Sequence, residues 1–461
     1  MSRARTGRGS GPHRPVGGVR EAALLILTRV DGEGARADAL LERWLPVFND
    51  AHRDRALLTQ LVNGTLRQRG YLDWLLGHFV KSGLGTLPIP VRNVLRLSLF
   101  QLEFMERLPP HAVVYDAVEL ARRYGHEGTA RLANAVLREL QRRGREIPRP
   151  DAAADPVEAI AVLHSHPRWL VRRWVERWGA AEAEALARAD NRIPPLTLRV
   201  NRLRADLERL REALEEEGLH PQPAELYPDA LQITENVFFP GLRAYRQGLF
   251  QVQDEASCLV APLLGARPGE MVLDLCAGPG GKATHLAEIM GGKGTVVAAD
   301  TNPRALARLG ENVRRLRITN VLPVRADGRT LALSRPADRV LVDAPCSGLG
   351  VLARRADARW RRQEGDVARF RALQTALLGR AADVVRPGGT ILYATCTLEP
   401  EENEEVVAEV LAGRDDLARD AIAAEEGAPP GAVGEDGALR LYPHRHGCDG
   451  AFAARLKRRE A

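Results

Sequence analysis

The spacing of apolar positions changes character along the chain and divides it into three stretches. From residue 20 to about 145 the spacing is helical. Within 52–69, Leu57, Leu58, Leu61, Val62 and Leu66 share one face, with charged residues opposite. Segment 91–105 is apolar nearly all round, through Val94, Leu95, Leu97, Leu99, Leu102 and Phe104, which predicts a central buried helix. Pro88 and Pro90 precede it, and Pro109 and Pro110 end it. Helices are also predicted over about 112–124 and 130–140. Basic residues then cluster at Arg142, Arg143, Arg145 and Arg149, before Pro148, Pro150 and an Ala/Asp-rich linker.

A second pattern covers 155–250. An amphipathic helix carries Trp169, Trp174 and Trp178 at a spacing that suits packing better than base stacking. A strand at 195–201, a helix at 205–218 and a short strand near 230 predict a small α+β subdomain. From Pro268 onward, apolar runs at 271–276, 294–300, 321–327, 339–344 and 390–397 alternate with helical segments. The rhythm reads as the strands of a mostly parallel sheet with right-handed crossovers. The expected division is therefore a basic tail over 1–19, a helical domain over 20–147, the α+β subdomain over 155–250 and an α/β domain over 251–461.

The chemistry centres on MVLDLCAGPGGKATHLAEIM, residues 271–290. An apolar run ends at Leu275, a glycine-rich turn follows from Ala277 to Gly281, and Lys282 opens a helical segment. Strand, tight turn and helix form the first unit of a doubly wound sheet, in which bare backbone lets a ligand approach the helix N-terminus. Asp300 ends the next apolar run, where such folds place a carboxylate for a ribose diol. The glycines do not follow G-x-G-x-x-G, and Pro279 sits inside the turn, so no pyrophosphate cradle is present. A ribose acid without a phosphate device suits S-adenosylmethionine. A ligand-free turn explains the glycines alone, but not their pairing with Asp300.

Composition refines this picture. A chain of 461 residues with 45% hydrophobic content is ordinary for a globular protein of two or three domains. No apolar run is long enough for a membrane span. The first 20 residues carry Arg3, Arg5, Arg8, Arg14 and Arg20 with no acid and no apolar stretch, the pattern of a disordered tail. The five cysteines are scattered without a C-x-x-C pair, which argues against disulfides or a metal site and for a reducing cytoplasm. A net charge of +6 favours a polyanionic partner. Arginine is abundant throughout and lysine scarce, so Lys282 in the glycine loop stands out.

Two cysteines fall at predicted strand ends, in DAPCSGLG (343–350) and YATCTLEPEEN (393–403). Carbon 5 of cytosine is a poor nucleophile. A thiolate adding at carbon 6 drives electron density to carbon 5, which then accepts a methyl group; loss of the carbon 5 proton and of the thiol completes the exchange. Oxygen or nitrogen methylation needs no such nucleophile. Either cysteine alone would pass for a small buried residue. Spacing does not choose which of Cys346 and Cys396 attacks.

With these motifs in hand, the chain resembles the Sun (RsmB-type) family of RNA cytosine-5 methyltransferases over about residues 20–458. QDEAS, DLCAGPGGK, DAPCSGLG and YATCTLEPEEN carry the resemblance. RDRALLTQLVNGTLRQRG, LRLSLFQLEFMERLPPHAVVYDAVELA and LANAVLREL resemble the family's NusB-like RNA-binding domain, although their spacing alone equally describes an ordinary bundle. The resemblance implies a multidomain fold: an all-α NusB-like domain, a small α+β subdomain and an α/β Rossmann-like methyltransferase domain. It implies that Cys396 is the nucleophile, that Cys346 assists breakdown of the adduct, and that Asp343 contacts cytosine and cofactor. Cys276, Ala277, Gly278, Pro279, Gly280, Gly281, Lys282, Asp300, Asp327 and Asp343 would then line the S-adenosylmethionine site. The implied partner is RNA, with small-subunit (16S) ribosomal RNA as substrate, acted on by a cytoplasmic monomer without metal or membrane contact.

The chain departs from the family pattern at Ala356, where proline is usual, at Ala451, where an aromatic residue is usual, and at Gly278, where alanine is common. RNA contact is expected from Arg354, Arg355, Arg359, Arg361 and Arg362 beside Trp360, through phosphate pairing and stacking on splayed bases. A solvated arginine run is the plainer alternative. A non-catalytic RNA-binding factor, or a methyltransferase acting on another substrate, fits the helical domain or the glycine loop but leaves the cysteine pair unexplained.

Overall fold

The structure is a computed structural model that describes residues 17–48, 52–235, 237–423 and 426–460. The basic tail expected over 1–19 lies outside the described residues as far as residue 16, and Gly18 and Val19 already belong to the first helix. The chain forms two compact units. One comprises Met1–Asn191 with Leu352–Arg362, the other Arg192–Val351 with Gln363–Ala461.

The first unit is helical. Helices Gly18–Glu33, His52–Arg67, Arg69–Gly77, Pro110–Arg123 and Glu127–Arg143 surround Ile89–Phe104. Proline sits in the first turn of that central helix, where a missing N–H removes no helical hydrogen bond. Val91, Val94, Leu95, Leu97 and Leu99 are buried, as their all-round apolar pattern predicts. The same helix also buries Asn93, Arg96, Ser98 and Gln101. Arg96 is held by Asp73 at 2.6 and 2.7 Å, by Asp31 at 2.5 Å and by Asn93 at 3.0 Å. A charge this deep persists only when its hydrogen-bonding capacity is met.

Helices Pro156–Leu163, Arg168–Trp178 and Ala180–Ala189 also belong to this unit. Their apolar faces bury Ile160, Leu170, Val171, Trp174, Ala183 and Leu186, and Ser165 Oγ accepts the Gly70 N–H at 2.8 Å. Leu352–Arg362, which carries the arginine run, also belongs to the helical unit.

The second unit contains two sheets. Strands β1 (Leu196–Val200), β2 (Gln222–Pro223), β3 (Ala230–Ile233) and β4 (Phe250–Val252) form an antiparallel sheet in the order β2-β3-β1-β4. Its core joins Leu198, Val200, Leu231, Ile233 and Phe250 to Leu210 and Leu214 of helix Leu207–Glu215. The main sheet contains β5 (Met271–Asp274), β6 (Thr295–Asp300), β7 (Val321–Arg325), β8 (Ala337–Asp343), β9 (Val385–Thr395), β10 (Leu417–Arg419), β11 (Leu439–Leu441) and β12 (Ala451–Arg458).

Its order is β10-β12-β9-β8-β5-β6-β7, with β11 also paired to β12. Strands β5 to β9 are mutually parallel, whereas β10, β11 and β12 add in antiparallel sense. The expected mostly parallel sheet is present in strands β5 to β9, and β10, β11 and β12 add an antiparallel edge to it. That edge follows the last crossover helix, where the alternating pattern had ended. The chain winds outward from β5 through β6 and β7, then returns to build β8 and β9 on the other side. The order reverses between β5 and β8, and the carboxyl ends there form the ligand-binding crevice of open α/β sheets. Among the described residues, no helix is long and apolar enough to cross a membrane.

Replacing Arg96 by methionine strands Asp31 and Asp73 beside an apolar side chain. The helical unit should lose ~3–5 kcal/mol of unfolding free energy, measured by denaturant titration. A loss below ~1 kcal/mol would show that the buried pair contributes little here.

Candidate active site at the carboxyl ends of the parallel strands

The glycine loop is shaped by positions that need absent side chains. Strand β5 ends at Asp274, and the Ala277 N–H donates to Ala299 O at 2.9 Å, tying the loop to β6. Gly280 has φ of 88°, and a methyl there would strike the Leu309 side chain, so both conformation and space require glycine. Helix Gly281–Ile289 starts immediately after, slightly ahead of the expected opening at Lys282.

Asp300 braces this loop. One carboxylate oxygen accepts the Gly278 N–H at 2.8 Å, and the other accepts Asn302 N–H at 2.7 Å. The Gly278 amide is therefore engaged and does not offer itself to a phosphate. Beside the loop, a cavity of about 310 Å³ is lined by Cys276, Asp300, Thr301, Asp327, Arg329 and Pro345, with Leu275, Leu373 and Leu377 as apolar walls. Of the expected cofactor residues, Cys276, Asp300 and Asp327 face this cavity. Ala277, Gly278, Pro279, Gly280 and Gly281 shape its loop, while Lys282 and Asp343 stand at the neighbouring cysteine site. Thr301, Arg329, Leu373 and Leu377 come from loops and a helix without a motif, and Pro345 lies within DAPCSGLG without having been singled out.

Asp327 accepts from Arg329 Nε at 3.0 and 3.2 Å, from Arg329 Nη2 at 2.6 Å and from its backbone N–H at 3.0 Å. These contacts, the side-chain hydrogen bonds foremost, hold its carboxyl at about 2. Asp274 behaves in the opposite way. It is fully buried, its Oδ2 has no hydrogen-bond partner, and burial with the nearby Asp343 charge raises its carboxyl to about 8. Burial also pushes the Cys276 thiol well up, so it faces the cavity as a neutral group.

The β8–β9 pairing sets Asp343 beside Ala394, so both cysteines emerge at the same level of the sheet. Cys346 Sγ lies 3.3 Å from Cys396 Sγ. Gly350 N–H donates to Cys396 O at 3.0 Å, fastening one loop to the other. Cys346 is displaced well upward, chiefly by its hydrogen bond to the Cys396 sulfur and also by burial. The two thiols are close enough to titrate as a pair.

Lys282 Nζ reaches Asp343 Oδ2 at 2.8 Å. Burial opposes its charge, but Asp343, Cys396 and Asp274 together carry it above the ordinary lysine value. An ammonium within the field of a cysteine sulfur favours the thiolate.

The arginine run is placed differently from expectation. Arg359 is fully buried in the helical unit and donates to Ser165 O at 3.0 Å, Asn191 Oδ1 at 2.9 Å and Asp190 O at 3.1 Å. No surface remains from which it could reach a phosphate, and it is withdrawn from the RNA-contact set. Trp360 donates its indole N–H to Leu66 O at 2.6 Å, packs against Gly70 and has Arg69 over its ring. Arg361 pairs with Asp357 at 2.8 Å, and Arg355 is exposed. A run of like charges gives no sign of which member turns inward.

A doubly wound sheet with a non-phosphate glycine loop, acids at its strand ends and two thiols in contact defines a methyltransferase domain of the S-adenosylmethionine-dependent class. Comparisons narrow the class. The model of the 16S rRNA methyltransferase RsmB/F family matches residues 261–457, that of the NusB family residues 18–142, and that of the RsmF/B-like ferredoxin-like domain residues 166–238. The probable ribosomal RNA small subunit methyltransferase B of Bacillus subtilis is 36% identical, over 96% of this chain and 99% of that protein. The ribosomal RNA small subunit methyltransferase B of Pseudomonas syringae is 34% identical, over 88% of this chain and 89% of that protein. The crystal structure of PH0851 matches with a TM-score of 0.82 at 28% identity, covering 97% of this chain and 100% of that one. The chain belongs to the RsmB/F family of small-subunit ribosomal RNA methyltransferases.

The charge state of Asp274 has a thermodynamic consequence. Its folded carboxyl titrates at about 8 against an unfolded value near 4, so its contribution is fully present at low pH. That contribution is lost as pH rises through the window between those values. Asp274→Asn does not titrate, and its stability relative to wild type should increase between pH 5 and pH 8 in denaturant titrations. A difference independent of pH would contradict the raised carboxyl.

Proposed function

We propose that the protein methylates carbon 5 of a cytosine in 16S ribosomal RNA through a covalent bond between Cys396 and carbon 6 of the base. The observation that carries this reading is the 3.3 Å approach of the two thiols beside the Lys282–Asp343 pair. Methylation at oxygen or nitrogen leaves both thiols without work, whereas carbon 5 needs a nucleophile at carbon 6.

S-adenosylmethionine fits the neighbouring cavity. Leu275, Leu373 and Leu377 offer apolar contact, Asp300 and Asp327 supply acceptors, and the engaged Gly278 amide leaves no phosphate cradle. Asp300 would accept from the ribose hydroxyls, and the acidic surroundings suit a cationic ligand. When bound, this cofactor supplies an electrophilic methyl group.

The chain's residues would act around that methyl in order. Lys282 favours the Cys396 thiolate, which attacks carbon 6. Asp343, its charge offset by Lys282, hydrogen-bonds the amidine edge of the ring and steadies charge developing there. Once bonded to carbon, the Cys396 sulfur is a neutral thioether. The hydrogen bond to that sulfur, the first cause of the raised Cys346 thiol, is then weakened, and Cys346 releases its own proton to solvent. Cys346 can thus accept the carbon 5 proton as the Cys396–carbon 6 bond breaks and its electron pair returns to sulfur. A target held in a helix must first be flipped out of the stack. The NusB-like helical domain and the exposed Arg355 are candidate RNA contacts, while Arg354, Arg361, Arg362 and Trp360 border the buried Arg359.

Single-cysteine variants test the scheme. Cys396→Ala should abolish both methyl transfer and any protein–RNA species stable in denaturing gels. Cys346→Ala should still add and methylate, then stall as a stable adduct. An adduct in Cys396→Ala alone would exchange the two roles, and methylation retained in both variants would refute covalent catalysis.

A further inference from the structure

We infer that Glu402 is a positioning residue that holds the two cysteine loops in register, through one buried carboxylate bonded to both. The inference rests on the proposed roles of the cysteines, but the brace itself is a matter of geometry.

Glu402 follows β9 in a short turn and is completely buried. Its Oε2 accepts the Ser347 N–H at 2.8 Å, directly after Cys346. Its Oε1 accepts from Thr397 Oγ1 at 3.2 Å, directly after Cys396. The carboxylate therefore spans the residues next to both thiols. The Ser347 and Thr397 hydroxyls also meet, 2.8 Å apart. Gln374, from helix Gly365–Val384, extends the brace by donating to Glu402 Oε2 and to Pro345 O, each at 2.9 Å.

The backbone of the turn is fixed as well. Tyr393 donates its hydroxyl proton to Glu402 O at 2.5 Å. Asn403 accepts from Thr395 Oγ1 at 2.5 Å and donates to Thr397 O at 3.1 Å, closing a ring around Cys396.

Burial raises the Glu402 carboxyl, and the hydrogen bonds from Ser347, Gln374 and Thr397 work against that shift. A buried acid with this many convergent donors serves geometry, because an apolar side chain of similar size would fill the space without the cost of desolvation. Attack at carbon 6 by one thiol and proton removal at carbon 5 with the help of the other require a fixed spacing. Glu402 would set that spacing without touching the base.

Diamide oxidation reads the spacing independently of RNA. The two thiols lose two protons and two electrons to form a disulfide, and the azo bond of diamide takes them up as a hydrazine. In the wild-type protein, peptide mapping should find Cys346 and Cys396 linked rapidly. Glu402→Ala should slow this linkage about tenfold or more and lower kcat about tenfold to a hundredfold, with KM for S-adenosylmethionine within about twofold. Glu402→Gln keeps one acceptor and should recover part of both losses. Should Glu402→Ala fail to fold by circular dichroism, Glu402→Gln decides, with slower linkage expected. Wild-type linkage and kcat in whichever variant folds would overturn the inference. Failure of the wild-type protein to methylate RNA at all would count against the proposed function, and the linkage rates would still report on the brace.

Discussion

The pairing of β8 with β9 is the constraint on which the site depends. Parallel strands emerge at a common edge, and the register of Asp343 with Ala394 sends both cysteine loops out side by side. Residues 50 positions apart in the chain are thereby brought to 3.3 Å. The glycine loop lies one strand over, after β5, so Lys282 reaches Asp343 across the point where strand order reverses. A slip of one residue in this register would turn every side chain of β9 to the other face and separate the thiols.

The electrostatics of the site follow from its position. Four aspartates gather around one crevice, yet their states differ. Arg329 holds Asp327 ionised, and Lys282 pairs with Asp343. Asp300 accepts one backbone amide on each oxygen, whereas Asp274, buried without a full set of partners, is driven toward its neutral form. Burial and partners decide these states, with residue type the same throughout. The cysteine pair shows the same logic, because two adjacent thiols cannot both ionise easily and their order of titration belongs to the pair.

Much of this was legible in the chain. The glycine loop, Asp300, Asp327 and both cysteine motifs were found because strand ends announce themselves by a change of period, and reactive residues fall there. The helical domain was visible in its 3.6-residue pattern. Other features were hidden for physical reasons. The inward turn of Arg359 depends on carbonyls at Ser165 and Asp190, far away in sequence, and a basic run otherwise resembles a solvated face. Arg96 was hidden by the apolar helix that surrounds it. Glu402 could not be told from Glu401, since only the fold reveals which carboxylate meets the Ser347 amide. Strands β10 and β11 escaped because they have only three residues each, too few to establish a period.

The central claim is a bond between Cys396 and carbon 6 of cytosine, and RNA carrying 5-fluorocytosine tests it most directly. Fluorine cannot leave carbon 5 as a proton does, so elimination of the sulfur is blocked after methyl transfer. Wild-type protein incubated with this RNA and S-adenosylmethionine should form a complex that survives denaturation. Mass spectrometry of its peptides should place the nucleotide on Cys396. A nucleotide on Cys346, or no complex while ordinary RNA is methylated at the same position, would contradict the account.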